Sequence, residues 1–399
     1  MIKESTMEKT SLPDGWEMKT LGEICVINPK KIEVNNLPAN HLVSFLPMKD
    51  LGVAQNQINP ITIKQLSEVK GSYTYFRNND VLLAKVTPCF ENGKLGIAKN
   101  LKNEIGFGSS EYIVFRPKNE LLSEYLFYIL SSSKFRNRGK ELMYGAVGLK
   151  RLSKDYVKNF ITPFPSIEKQ KQIVAILDKA FAAIDTAKAN AEQNLQNAKE
   201  LFESYLQNVF ENKGDDWEEK TLEDVCESIS AGGDKPKELS KFKTEKFNIP
   251  IYANGEKNKG LYGFTNVAKI LEPSITISGR GTIGYSEIRN EPFTPIVRLI
   301  VLIPNKEKID INFLKYIVSN IDFINSGSSI PQLTVPMVKG YKVTYPIINE
   351  QNDIVQKLDA LSADTKKLEA IYTQKIADLE EMKKSVLQKA FAGQLNTIN

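Results

Sequence analysis

The sequence predicts an α/β (α+β) protein written twice, with two mixed globular domains separated by two long helices that form an antiparallel intramolecular coiled coil. Three internal matches give this pseudo-twofold repeat. "GWEMKTLGEIC" (Gly15 to Cys25) returns 201 residues later as "DWEEKTLEDVC" (Asp216 to Cys226), with six of eleven positions identical and both tryptophans of the chain included. "PSIEKQKQIVAILD" (Pro165 to Asp178) returns as "PIINEQNDIVQKLD" (Pro346 to Asp359) at an offset of 181, with seven of fourteen identical. "SYLQNVF" (Ser204 to Phe210) and "SVLQKAF" (Ser385 to Phe391) keep that second offset. The fall of 20 between the offsets means that the globular part varies in length while the helical part is held fixed. The predicted boundaries are 1–164 for the first globule, 165–212 for the central helix, 213–345 for the second globule and 346–399 for the C-terminal helix.

The helices are read from apolar spacing. Ile173, Leu177, Ala180, Ile184, Ala187, Ala191, Leu195, Ala198, Phe202, Tyr205 and Val209 recur by fours and threes, the seam of a coiled coil with one stutter. The second seam runs through Ile354, Leu358, Leu361, Thr365, Leu368, Tyr372, Ile376, Leu379, Lys383, Val386 and Ala390, with Lys383 its one charged lapse. Prolines precede each helix and never interrupt it. At about 40 residues, each helix would be roughly 60 Å long, and one apolar seam of that length needs a partner. The alternation of globule and helix lets the two helices of one chain supply it to each other.

The globules read as strand-rich. "NDVLLAKVTP", "SSEYIVFRP", "PSITISG" and "PIVRLIVLIP" are short β-type runs bounded by Gly, Pro and Asn. "LLSEYLFYILSSSKF" and "INFLKYIVSNIDFI" are amphipathic helices that align as Leu126/Leu314, Tyr128/Tyr316 and Ile129/Ile317.

Several function classes are excluded or disfavoured. Gly279, Gly281 and Gly284 spell GxGxxG, but a dinucleotide site needs a helix to open there so that its N-terminus meets the pyrophosphate. The next residues are "YSEIRNEPFTPIVRLIVLIP", an alternating strand and two prolines, so the glycines are assigned to a β-turn or a close backbone approach. There is no GxxxxGK[ST] P-loop and no Asn/Asp-Pro-Pro-aromatic methyltransferase tetrapeptide. The single histidine, His41, is expected to be structural, and Cys25, Cys89 and Cys226 are too few and too far apart for a disulfide framework or a zinc site. No catalytic residues, no metal site and no cofactor are therefore expected in this chain. No apolar run approaches a membrane span and no secretory leader is read at the start, so the expected location is cytoplasmic and no membrane partner is expected.

The net charge of +5 is modest, but residues 1–164 hold 23 Lys/Arg against 16 Asp/Glu, and 213–345 hold 18 against 17. "RNRGKELMYGAVGLKR" (Arg136 to Arg151) and "YANGEKNKGLYG" (Tyr252 to Gly263) mix cations, glycines, Asn and Tyr in loops, which suits either phosphate and base contacts or a protein-binding surface.

The repeated opening segments and the paired helix starts resemble the specificity (S) subunits of type I restriction-modification systems. "LLAKVTPCFENGKLGIA", "GFGSSEYIVFRP" and "ITISGRGTIGY" look like recurrent segments of that family's target-recognition domains, and the resemblance covers nearly the whole chain. It implies a noncatalytic DNA-binding subunit, each domain reading one half of a bipartite, asymmetric double-stranded target, the coiled coil docking two modification (methyltransferase) subunits. It further implies that S-adenosylmethionine, ATP and Mg belong to those subunits and to the restriction (translocase and nuclease) subunits, which methylate adenine or cut DNA. The alternatives are a recognition subunit from a related fused restriction-methylation system and a coiled-coil scaffold that binds no DNA. The residues expected at DNA are Lys85, Thr87, Asn92, Lys94, Ser109 and Ser110, with Arg136, Arg138, Lys150 and Arg151 on phosphates, in the first domain. In the second they are Tyr252, Asn254, Lys257, Asn258, Arg280, Thr282 and Gln332.

Overall fold

The computed structural model describes residues 13–60, 62–146, 148–323 and 332–395. The stretch read for a leader therefore lies mostly outside the described residues. The chain packs as two compact units, Met1–Asn190 with Lys375–Asn399, and Ala191–Gln374, so each unit holds one domain and a portion of both long helices.

The two opening segments fold alike because their sequences impose the same local chemistry. Strands Glu17–Thr20 and Glu218–Thr221 each run into a one-turn helix, Leu21–Ile24 and Leu222–Val225. Thr20 Oγ1 accepts the Glu23 N–H at 3.3 Å while the Glu23 carboxylate accepts the Thr20 N–H at 2.6 Å, and Thr221 and Asp224 repeat the exchange. These capping boxes satisfy helix-start donors that a four-residue helix could not otherwise pair. Each opening strand lies antiparallel to the strand that precedes its long helix, Ile161–Phe164 in one copy and Lys342–Tyr345 in the other. Both ends of each domain are thereby fixed at a helix start.

The main sheets share an order. In the first domain Cys25–Ile27, Tyr112–Pro117, Val81–Ala84 and Leu95–Ala98 are neighbours in that sequence, all antiparallel, with Gln55–Ile58 added in parallel at the edge. In the second, Cys226–Ala231, Ile300–Pro304, Ser274–Ile277 and Ser286–Arg289 repeat the first four places. A second sheet in each domain has its own design: four strands in the first (Thr62–Gln65, Leu42–Leu46, Ile105–Gly108, Thr74–Arg77) and three in the second (Leu261–Thr265, Ile249–Tyr252, Thr294–Pro295). Part of the length difference between the copies is accommodated there, and part in the stretch between the short amphipathic helix and the last strand, Ser123 to Ile161 in the first domain and Ile311 to Lys342 in the second.

Helices Ser123–Ser131 and Ile311–Asn320 bury Tyr125, Leu126 and Ile129 in one core and Phe313, Leu314 and Ile317 in the other. They also seat the long helices, Ile167–Glu211 and Ile348–Phe391. Tyr128 donates its hydroxyl to Asp178, and Tyr316 does the same to Asp359 at 2.5 Å. Gln170 and Gln351, both fully buried, each make three hydrogen bonds to backbone. Gln170 accepts from Leu122 N and donates to the Glu120 and Pro165 carbonyls; Gln351 accepts from Asp310 N and donates to those of Lys308 and Pro346.

The expected seam is buried or half-buried at every position but Leu368. Within the first unit the helices run antiparallel: Lys188 pairs with Glu380, and Lys383 with Asp185 at 2.8 Å. Lys383 also lies over the Phe181 ring at 4.8 Å, which explains how a lysine occupies the seam. Within the second unit, Ser362 stands at the position equivalent to Phe181, and a cavity of about 470 Å³ opens beside Phe202, Lys315, Tyr316 and Thr365. One expected strand is broken: "PIVRLIVLIP" forms Thr294–Pro295 and Ile300–Pro304, with Val297 and Arg298 between them at φ 52° and 60°.

Candidate nucleic-acid interface

The connection from Val81–Ala84 to Leu95–Ala98 in the first domain is equivalent, by strand order and register, to the connection from Ser274–Ile277 to Ser286–Arg289 in the second. The first carries Lys85, Thr87, Asn92 and Lys94; the second carries Gly279, Arg280, Gly281, Thr282 and Gly284. Sequence similarity alone does not align these two loops.

In the first domain this connection meets the turn at Ser109 and Ser110 and the stretch from Tyr144 to Arg151. Lys85 Nζ donates to the Ser110 carbonyl at 2.8 Å, Thr87 N donates to the Lys150 carbonyl, and Val86 and Tyr144 both bridge Arg151. Arg151 makes a two-point ion pair with Glu111, Nη2 to Oε1 at 2.8 Å and Nε to Oε2 at 3.0 Å, and Lys85 lies 3.9 Å from the same carboxylate. The hydrogen bonds from Arg151 hold the Glu111 carboxyl below the usual range against the opposing effect of burial, with Lys85 assisting. Burial lowers the Lys85 ammonium, and Glu111 opposes that shift. Asn92, Ser110, Arg138 and Lys150 are exposed, Arg138 pairing with Glu141 at 2.8 Å. Lys94 is half-buried, its Nζ donating to the Met48 carbonyl at 2.8 Å, and Thr87 Oγ1 donates to Glu91 at 3.0 Å.

Arg136 is a correction to the expectation of a phosphate contact. Its guanidinium donates to the Phe90 carbonyl and stacks 4.2 Å from the Phe90 ring, and burial pushes its pKa down to about 10. It is half-buried and braces the connection through Phe90.

In the second domain two loops are fastened to each other. Asn254 Oδ1 accepts the Gly279 N–H at 2.8 Å while its Nδ2 donates to the Val297 carbonyl at 2.6 Å, and Ser278 Oγ accepts the Gly255 N–H at 2.9 Å. Arg280 donates through Nε and Nη2 to Gln332 Oε1 at 3.2 and 2.7 Å. A side chain at 279 would stand 2.9 Å from the Leu333 carbonyl, so the close approach requires that glycine; Gly281 and Gly284 have φ of 71° and 85°. The run continues into a strand, as the sequence implied. Lys257, Asn258 and Thr282 are exposed.

Tyr252 is the second correction. It is only 9% exposed, packs edge-on against Phe293, and lies under Arg289, whose guanidinium is 3.6 Å from the ring and donates to the Lys259 carbonyl at 2.6 Å. Asn254 and Tyr252 position the loop that displays Lys257 and Asn258.

Sequence reading passed over other exposed groups on this domain. Lys235, which touches the Tyr262 hydroxyl at 3.1 Å, belongs to a run of five lysines within residues 235–246 that contains Phe242, 79% exposed. That lysine density was visible in the sequence, whereas the exposure of Arg298 was not. Among the described residues no group of three or more His, Cys, Asp and Glu could hold a metal ion, and no helix is long and apolar enough to cross a membrane. Burial pushes the Cys25 and Cys226 thiols up to about 12, away from thiolate chemistry.

Breaking the Glu111 clamp should free two cations. Glu111→Gln is expected to raise affinity for random-sequence duplex DNA by about two- to tenfold and to steepen the log-log salt slope by about 1, because Arg151 and Lys85 would no longer be neutralised. Anisotropy titrations at several salt concentrations measure this; an unchanged slope would remove these two residues from the interface. The lowered pKa also sets a sign: stability from the clamp is present above the ordinary glutamate range and is lost as pH falls through the lowered value.

The two domains repeat one sheet order, each presents a polar loop cluster at the same connection, and each seats the start of one long helix. The chain belongs to the family described as type I restriction modification DNA specificity domain, whose family model matches residues 13–197 and 214–380. It is 36% identical over 208 residues to the type I restriction enzyme EcoEI specificity subunit of Escherichia coli, covering 52% of this chain and 34% of that protein. It is 23% identical over 428 residues to the putative type I restriction enzyme MjaX specificity subunit of Methanocaldococcus jannaschii, covering 98% and 97%. The matches to the EcoEI and EcoAI subunits span about a third of those relatives' length. The HsdS subunit from Thermoanaerobacter tengcongensis superposes with a TM-score of 0.66 at 19% identity, over 96% of this chain and 98% of that one. A chain from a type I R-M system structure superposes with a TM-score of 0.78 at 18% identity, over 96% and 100%, so the fold is shared.

Proposed function

We propose that this chain is the noncatalytic DNA-reading subunit of a type I restriction-modification complex. The observation that carries the reading is the matched pair of loop clusters, Lys85 to Lys94 with Ser109, Ser110 and Arg151 in one domain, and Arg280 to Thr282 with Asn254, Lys257 and Asn258 in the other. Each cluster joins cations suited to phosphates with Asn, Thr, Ser and Arg groups suited to base edges. Because the two clusters differ in sequence and in the loops that build them, the two half-sites differ, and the target is bipartite and asymmetric. The paired helices set the separation of the half-sites and dock two modification subunits, to which restriction subunits add. S-adenosylmethionine, ATP and Mg are carried by those partners, in the cytoplasm.

Binding to duplex DNA by the chain together with its modification subunits, followed by fluorescence anisotropy at several salt concentrations, tests this reading. Specific binding that weakens as salt rises is expected. No binding even at low salt would favour a protein-only scaffold.

A further inference from the structure

We propose that Arg298 is a specificity-determining residue of the second domain and reads a guanine edge in that domain's half-site. This rests on the DNA reading proposed for the chain and adds a named residue to it.

The backbone is the first argument. Val297 and Arg298 both lie in the left-handed region, at φ 52° and 60°. A β-branched residue there is a genuine outlier, and neither residue is one that turns ordinarily select. Such strain persists only where the surroundings fix it, and here they do. Val297 N donates to the Gly233 carbonyl and Arg298 N to the Gly232 carbonyl, each at 2.8 Å, while Asn254 Nδ2 holds the Val297 carbonyl at 2.6 Å. Gly232 allows this approach, since a side chain there would stand 2.6 Å from Ile296 N.

Position is the second argument. Ile300 pairs with Ile277 as Tyr112 pairs with Ala84, so Arg298 occupies the place that Ser110 holds in the first domain, beside the recognition connection. A side chain at Gly279 would stand 3.5 Å from the Arg298 carbonyl, so the turn abuts the loop that carries Arg280.

Availability is the third. Arg298 is exposed, and no carboxylate among the described residues pairs with it, whereas Arg289 is buried against Tyr252 and Arg280 is engaged by Gln332. A phosphate can be met by a flexible lysine such as Lys235 or Lys269 nearby. A guanidinium fork carried on a pinned backbone turn suits bidentate pairing with guanine O6 and N7.

The test expresses the chain with its modification subunits, presents a randomised duplex library, and sequences methylated adenines. For Arg298→Ala, Arg298→Lys and Arg298→Gly the first half-site is expected unchanged, while preference at one G·C position of the second falls roughly tenfold or more. Arg298→Gly should keep or raise the melting temperature, because glycine tolerates the left-handed turn. An unchanged motif in Arg298→Ala, full retention in Arg298→Lys, or a lower melting temperature in Arg298→Gly would overturn the proposal while leaving the DNA reading intact. A wild-type complex that methylates no defined motif would remove both.

Discussion

Arg116→Ala is expected to destabilise the first domain by about 3–5 kcal/mol, the cost of leaving a buried carboxylate without its partner. Asp80, with its side chain 2% exposed, accepts from Arg116 Nε and Nη2, both at 2.9 Å, and from the Arg77 N–H at 2.8 Å. Arg116 Nη1 also reaches Glu33 at 2.9 Å, where Tyr75 and Arg77 converge at 2.9 and 2.7 Å. Arg116 belongs to the main sheet and Tyr75 and Arg77 to the second, so the network ties the two sheets of this domain together. Burial raises the Asp80 carboxyl even with Arg116 opposing it. A raised carboxyl pKa in the folded state means stability falls as pH rises through it, and losing Arg116 removes the interaction that opposes the rise, so the variant's deficit should shrink as the pH is lowered. Urea unfolding at pH 7 and at pH 5 measures both. A deficit below about 1 kcal/mol, or one that grows on acidification, would contradict this account.

Gln170→Ala should cost about 3 kcal/mol or more in the same domain, and Gln351→Ala a similar amount in the other. Each amide satisfies three backbone groups at zero exposure, and each group left unpaired costs about 1–3 kcal/mol. The substitution acts where the long helix starts, so the helix should lose hydrogen-exchange protection at residues 167–178 before the sheets do. A loss confined to the sheets would place the anchor elsewhere.

These two sites show what one-dimensional pattern reveals and what it does not. The long helices, their seams and the repeated helix starts follow from local periodicity, and Gln170 and Gln351 stand within the matched "PSIEKQKQIVAILD" and "PIINEQNDIVQKLD". Their burial was not evident, because a glutamine beside charged residues reads as a solvated face. The Asp80–Arg116–Glu33 network joins residues up to 83 positions apart and leaves no local signature. The break at Val297 and Arg298 was hidden for a similar reason: alternating apolar residues read as one strand, and the turn is imposed by Asn254, Gly232 and Gly233 from elsewhere in the chain. At the candidate interface the sequence singled out loops that the structure brings together in each domain, but not which side chains they turn inward. Arg136 and Tyr252 have the residue types of nucleic-acid contacts, and only Phe90 and Arg289 reveal that they are packing groups.

The central claim, that each domain reads its own half of one DNA target, is tested most directly by mapping methylated adenines made by the wild-type complex and by Thr282→Ala in the second domain. Two unequal half-sites separated by an unread spacer, with only one half altered in the variant, is the predicted result. A contiguous palindromic motif, or a change in both halves from this one substitution, would contradict it.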